Sequence, residues 1–326
     1  MSKEENNNGE NSQNTWHQIT SENTDRRNAL KKMTAGLIAG VGIASTSCSV
    51  FSEDQEKETS QLSWDEFFKK NYKIMSDEER LQTVQRLESL YEKRTGNTVN
   101  ISNQGSLDDV LFGYVFNISK CQGYMDCVNA CVEENNQDRD SEMKYISIHQ
   151  IEKGHGFNFE KADDEFTNEV PLKNHFYIGT QCFHCENPPC VSVCPTEATW
   201  KEKDGIVVVD YDWCIGCRYC SASCPYDGRR FNWAQPHVPE EEVNKNQHYL
   251  GNRLRKKGVM EKCTFCIQRS RVGQNPACVD ACPTGARKFG NLLDPTSEIR
   301  WILENKKVFR LKEDLGTEPK FWYYMD

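Results

Sequence analysis

Long hydrophobic runs are missing from this sequence. Hydrophobic residues make up 37% of its 326 positions and mean hydropathy is −0.77, which excludes a polytopic membrane protein. A surplus of positive charge is missing too: 40 Lys and Arg stand against 49 Asp and Glu, a net charge of −9. Nucleic-acid binders need the opposite balance to neutralise phosphates, so no nucleic-acid partner is expected. There is no nucleotide-binding glycine fingerprint and no His/Cys constellation left over for a substrate, so no catalytic site is expected in the chain itself. Cysteine is what the sequence has in excess, with sixteen residues, far above ordinary globular usage.

Disulfide frameworks belong to short secreted chains that cannot build a core, and this chain is long. Cysteines three residues apart are also poorly placed to bridge each other. Cys214, Cys217, Cys220, Cys224 and Pro225 form an uninterrupted C-x2-C-x2-C-x3-C-P run. In such a run three thiolates hold one iron–sulfur cluster and the fourth reaches a neighbouring cluster. Cys182, Cys185, Cys190, Cys194 and Pro195 repeat it with two extra residues in the third spacing. Cys263 and Cys266, then Cys278, Cys282 and Pro283, repeat it across an eleven-residue gap. Zinc ribbons use paired C-x2-C knuckles, but zinc gives no reason for three C-x3-C-P endings.

A fourth copy, Cys121, Cys127 and Cys131, keeps the spacing but has Tyr124 where the second cysteine belongs. Fifteen cysteines thus fall in four groups, one thiolate short of four cubanes. An iron without a thiolate is lost or held by another ligand. The expectation is a [3Fe-4S] centre beside Tyr124, the alternative being a [4Fe-4S] cluster with an open or oxygen-ligated iron.

Residues 1–50 read as a polar n-region followed by an export signal. Arg26 and Arg27 precede an apolar stretch from Met33 to Thr46 that is too short to span a bilayer but long enough for a signal h-region. The arginine pair resembles a twin-arginine signal, a route for folded cargo that suits centres assembled in the cytoplasm. Cys48 is either a lipid-attachment site or an incidental residue of a discarded signal. Residues 51–110 read as a helical extension, with capping boxes at Ser63–Glu66 and Ser76–Glu79 and an apolar stripe of Leu81, Val84, Leu87, Leu90 and Tyr91. Residues 111–290 hold the cysteine core, with strands at Tyr145–Ile151 and Gly205–Asp210. Insertions lie near 135–170 and 235–258, and the basic run Arg253–Lys257 reads as a solvated loop. The tail 291–326 ends in Phe321, Trp322, Tyr323 and Tyr324, a run expected to be buried against the core or to dock on a partner.

Gln181–Pro195, Asp204–Trp233 and Lys262–Pro283, with the Pro188–Pro189 insertion and the Leu311–Tyr324 tail, resemble the iron–sulfur electron-transfer subunits of the DMSO reductase and polysulfide reductase type, which include the iron–sulfur part of alternative complex III. The resemblance covers roughly residues 111 to 326. It implies an α+β fold of two ferredoxin-like dicluster modules related by pseudo-symmetry. It also implies the ligand sets: Cys182, Cys185, Cys190 and Cys224; Cys214, Cys217, Cys220 and Cys194; Cys263, Cys266, Cys278 and Cys131, each for a [4Fe-4S] cluster. Cys121, Cys127 and Cys282 remain for the [3Fe-4S] cluster. The implied partners are a membrane quinone-reactive subunit and a molybdopterin-type catalytic subunit or multihaem cytochrome c, at the periplasmic or extracytoplasmic face. A freestanding periplasmic polyferredoxin and an iron–sulfur redox sensor are the alternatives.

Overall fold

A computed structural model describes residues 75–326 except 142 and 155, all within one compact unit, Ser63–Asp326. Arg26, Arg27, Cys48 and the Ser63 capping box lie outside the described residues. The second capping box is present: Ser76 accepts from the Glu79 N–H, and the Glu79 carboxylate accepts from the Ser76 N–H at 2.7 Å. It starts helix α1 (Asp77–Thr95), which Gly96 ends in the left-handed conformation. The buried stripe of α1 is narrower than its sequence pattern. Val84 and Tyr91 are buried, whereas Leu81 and Leu90 face solvent. Among the described residues no helix is long and apolar enough to cross a membrane.

The strands are short: β1 (Asn100–Ser102), β2 (Phe112–Asn117), β3 (Ser147–Glu152), β4 (His175–Thr180), β5 (Thr199–Lys201), β6 (Val207–Val209), β7 (Arg230–Phe231), β8 (Asn246–His248), β9 (Met260–Glu261), β10 (Arg287–Asn291), β11 (Val308–Phe309) and β12 (Phe321–Tyr324). Between them lie helices α2 (Asp126–Glu134), α3 (Pro189–Ser192), α4 (Tyr219–Ala222), α5 (Ile267–Ser270), α6 (Ala277–Asp280) and α7 (Glu298–Asn305). Mixed α+β content is therefore observed. A four-stranded sheet in the order β10-β2-β12-β11 carries the core, and two-stranded ladders β1-β8, β3-β4, β5-β6 and β7-β9 surround it.

All six residues of β2 are buried, so both faces of this strand are covered. Alternation divides its side chains: Val115 packs with Ile299 and Ile302 of α7, while Tyr114 and Phe116 face the larger core that holds the cysteines. β12 runs parallel to β2, Phe321 opposite Tyr114. The tail aromatics are thus covered by the core, with Phe321 and Tyr323 fully buried. Tyr114 stacks on Phe321 at 4.8 Å, Phe321 meets Phe183 at 4.8 Å, and Tyr114 reaches Phe265, which stacks on His184 at 3.7 Å. The sheet thereby anchors two cysteine loops.

The basic run Arg253–Lys257 departs from the expected solvated loop. Arg253 and Arg255 are buried. Arg255 pairs with Glu261 at 2.9 Å, both side chains without exposure, and donates to the Asn135 and Asn136 carbonyls. Arg253 meets Asp212 at 3.1 Å. The run looked solvated because its carboxylate and carbonyl partners lie elsewhere in the chain. Asn136 donates to the Asn252 carbonyl at 2.8 Å and accepts from the Asn244 N–H at 2.7 Å, so the two insertions clasp each other. Phe321→Ala removes a fully buried ring and is expected to cost about 3–5 kcal/mol, read as a lower denaturation midpoint under anaerobic conditions. An unchanged midpoint would contradict the place of β12 in the core.

Candidate metal centres

Each cysteine group builds the same local loop. The second residue after the first cysteine has positive φ in all four groups: Gly123 at 78°, His184 at 45°, Gly216 at 72° and Phe265 at 53°. This left-handed step turns the chain back around its own thiol and aims successive N–H groups inward, as when the Phe265 N–H donates to Cys263 Sγ at 3.4 Å. Glycine is needed at 216, where a Cβ would stand 2.2 Å from the Gly258 carbonyl oxygen. The Tyr124 group keeps the turn although it lacks the second thiol. The C-x3-C ends are single helical turns: Cys190 lies on α3, Cys220 on α4 and Cys278 on α6, and Pro195, Pro225 and Pro283 follow the last cysteine. In the first group the turn extends into α2, which carries both Cys127 and Cys131.

All fifteen described cysteines are free thiols, and they gather into four neighbourhoods. Cys185 stands among Cys182, Cys190 and Cys224. Cys214 stands beside Cys194 and Cys217, with Cys220 facing Cys214 and Cys194. Cys131, from the first group, faces Cys266, Cys263 and Cys278 of the last. Cys121 faces Cys127 and Cys282. Tyr124, 45% exposed, lines one pocket with these last three thiols. Adjacent neighbourhoods repel each other through their thiols: Cys220 with Cys190, Cys263 with Cys182, and Cys278 with Cys127. The four therefore form a row. One end holds Cys217, the exposed cysteine of the described set, and the other holds Tyr124.

Burial first, and then mutual repulsion, pushes the thiols up: Cys185 and Cys263 to about 12, Cys121 and Cys220 to about 11. Cys282 moves the other way. Burial opposes its ionisation, but the Thr284 hydroxyl and the N–H groups of Arg287, Ala286 and Thr284 outweigh it. Such concentrations of thiolate are unfavourable unless positive charge joins them. The surroundings fit a sulfide-bearing cluster. Arg229 Nε and Nη1 and Arg287 Nη2 are buried without a hydrogen-bond partner among the described residues, the kind of donor that a cluster sulfide accepts from.

Sequence reasoning missed the polar shell around the third neighbourhood. Asn135 donates to Cys131 Sγ and Cys266 Sγ, each at 3.5 Å, Gln137 to Cys131 Sγ at 3.3 Å, and the Tyr114 hydroxyl lies 3.3 Å from Cys278 Sγ. These residues come from an insertion and from β2, and no spacing marks them. His184, a residue that could be taken for a ligand or proton carrier, accepts the Val207 N–H at Nδ1 at 2.9 Å. Burial, reinforced by Lys262, Lys320 and Arg229, holds it well below the usual imidazole range and neutral. It ties β6 to the second cysteine loop.

These loops and thiol neighbourhoods define an iron–sulfur dicluster protein. The model for the 4Fe-4S dicluster domain family matches twice, over residues 173–248 and 248–292. The chain is 40% identical to the Hdr-like menaquinol oxidoreductase iron-sulfur subunit 1 of Archaeoglobus fulgidus, across 60% of this chain and 71% of that one. It is 37% identical to the menaquinone reductase iron-sulfur cluster-binding subunit of Nitratidesulfovibrio vulgaris, across 66% and 88%. With a polysulfide reductase subunit of Wolinella succinogenes it shares 43% identity across 45% and 65%. The chain belongs to the family of iron–sulfur subunits of the DMSO reductase and polysulfide reductase type. It binds iron–sulfur clusters and has an electron-transfer role.

Because burial holds thiols such as Cys185 and Cys263 protonated at neutral pH and a cluster takes them as thiolates, acid favours the metal-free chain. Each proton taken up on release changes the balance by about tenfold per pH unit. Iron loss to a chelator under anaerobic conditions is expected to increase from pH 8 to pH 5. Retention that improves toward low pH would contradict this.

Proposed function

We propose that this protein is the electron-transfer subunit of an extracytoplasmic, membrane-associated respiratory oxidoreductase. Its ligand sets are Cys182, Cys185, Cys190 and Cys224; Cys214, Cys217, Cys220 and Cys194; and Cys263, Cys266, Cys278 and Cys131, each for a [4Fe-4S] cluster. Cys121, Cys127 and Cys282 hold a [3Fe-4S] cluster. When bound, the clusters supply one-electron carriers between a quinone-reactive membrane subunit and a molybdopterin-type catalytic subunit or a multihaem cytochrome c. The chain's own residues hold the thiols, exclude water and place donors around the sulfurs.

The observation that carries this reading is the row of four thiol neighbourhoods with surface access at both ends, at Cys217 and at Tyr124. A row suits conduction, whereas a sensor needs one exposed cluster coupled to an output element. The pairing of the second group with the third and of the first with the last supports two ferredoxin-like modules related by pseudo-symmetry. Relatives named as iron–sulfur subunits of a menaquinol oxidoreductase and a menaquinone reductase support quinone-linked partners. Size exclusion of the native membrane extract separates a fixed subunit from a freestanding polyferredoxin, which would elute alone.

Redox-titrated EPR of anaerobically purified protein is expected to show one [3Fe-4S] signal. Tyr124→Cys restores the cysteine run and is expected to abolish that signal while adding one iron per chain. An unchanged signal and iron count would remove Tyr124 from the site. For export, replacing Arg26 and Arg27 by Lys is expected to leave the protein in the cytoplasm, measured by cell fractionation; undiminished export would sink the twin-arginine assignment.

A further inference from the structure

Buried cations in this protein come in two kinds. Arg255 and Arg271 face carboxylates, pairing with Glu261 and Asp204 at 2.9 Å. Arg229, Lys262 and Arg287 are equally buried, at 3%, 0% and 1% exposure, but they face sulfur. Arg229 Nη2 donates to Cys190 Sγ at 2.9 Å, and the charge also faces Cys220 and Cys182. Lys262 donates from Nζ to the Cys263 carbonyl at 2.6 Å; burial works against its charge, and the sulfurs of Cys182, Cys263 and Cys190 favour it. Arg287 is held by the Gln181 side chain at 2.9 Å and the Tyr114 hydroxyl at 3.3 Å, and its charge is favoured by Cys127 and Cys278. Gly179 leaves room for it, since a Cβ there would lie 2.6 Å from Arg287 Nη2.

The sulfurs each cation faces belong to two adjacent neighbourhoods. Arg229 acts on Cys190 and Cys220, Lys262 on Cys182 and Cys263, and Arg287 on Cys127 and Cys278. Each junction of the row thus has one buried basic side chain. The neighbourhood of Cys182 is flanked by two of them.

We propose that Arg229, Lys262 and Arg287 are positioning residues that set the reduction potentials of the centres on either side, each raising two neighbours together. This rests on the four-centre reading above. Reduction adds one electron to a centre already negative through its thiolates. A fixed positive charge in a medium of low dielectric offsets that addition over several ångströms. A cation at the contact between two centres acts on both, so their relative levels stay close while both become easier to reduce. It also screens the repulsion between two adjacent reduced centres. Carboxylate partners would cancel this field, and the protein supplies these three with neutral or thiolate partners instead.

The test is Lys262→Met in the intact, fully loaded protein, by EPR-monitored redox titration. The two centres held by Cys182, Cys185, Cys190 and Cys224 and by Cys263, Cys266, Cys278 and Cys131 are expected to shift to lower potential. The expected change is about tenfold in their reduction equilibria, equivalent to about 59 mV for one electron. The end centres beside Cys217 and Tyr124 are expected to move much less. Lys262→Arg is expected to restore the wild-type values. Full iron with four unchanged potentials would overturn the inference. If the Met variant loads incompletely, Lys262→Gln and Lys262→Arg are compared: potentials that follow the charge support the inference, and equal potentials overturn it. Wild-type iron and sulfide contents short of four centres would instead overturn the four-centre reading itself.

Discussion

Repulsion among buried thiolates is the constraint on which the rest of this structure depends. Eight of the fifteen described cysteines are buried, and burial alone raises the cost of ionising thiols such as Cys185 and Cys263. The protein answers with three devices that act at different ranges. Left-handed loops turn N–H groups onto the sulfurs, amides and hydroxyls from Asn135, Gln137 and Tyr114 contact the third neighbourhood, and the buried basic side chains Arg229, Lys262 and Arg287 act on sulfurs of adjacent neighbourhoods. The polar content of this interior follows from that need, and so does the small size of its regular elements. Most of the chain near the thiols is committed to surrounding them.

The central sheet supplies rigidity that such loops cannot. Tyr114, Phe321, Phe183, Phe265 and His184 form a continuous contact path from β2 and β12 into two of the cysteine loops. Aromatic packing of this kind fixes distance and orientation with large buried areas. Electron transfer between centres depends steeply on separation, so a stiff scaffold and a constant spacing belong to the same design.

Much of this was legible in the cysteine spacing. The four groups, the odd position of Tyr124, the strand near Val207–Val209 and the capping box at Ser76 follow from local chemistry, and local chemistry is what a sequence displays. Other features depend on partners distant in the chain. Arg253–Lys257 reads as a charged surface until Glu261, Asp212 and the Asn135 carbonyl are brought beside it. Lys262 sits next to a cysteine in sequence, yet only the fold places it against Cys182. The left-handed residues His184 and Phe265 carry no glycine signal, because stacking between their rings compensates the backbone cost. The expected ligand sets and pseudo-symmetry rest on family resemblance rather than on local spacing.

The pairing of thiol neighbourhoods is nested. The second and third cysteine groups close on each other across a short stretch of chain, and the first reaches over both to meet the last. Loop closure favours the inner pairing, because contacts between nearby segments form at less entropic cost than contacts between remote ones. Maturation therefore has a natural order, from the inside outward. The inner pair can condense while the outer segments remain apart, and the Tyr124 site, which needs Cys282 from the far group, is completed only when the outer bracket shuts. The site of Cys131 shares that dependence, because it too joins the first group to the last.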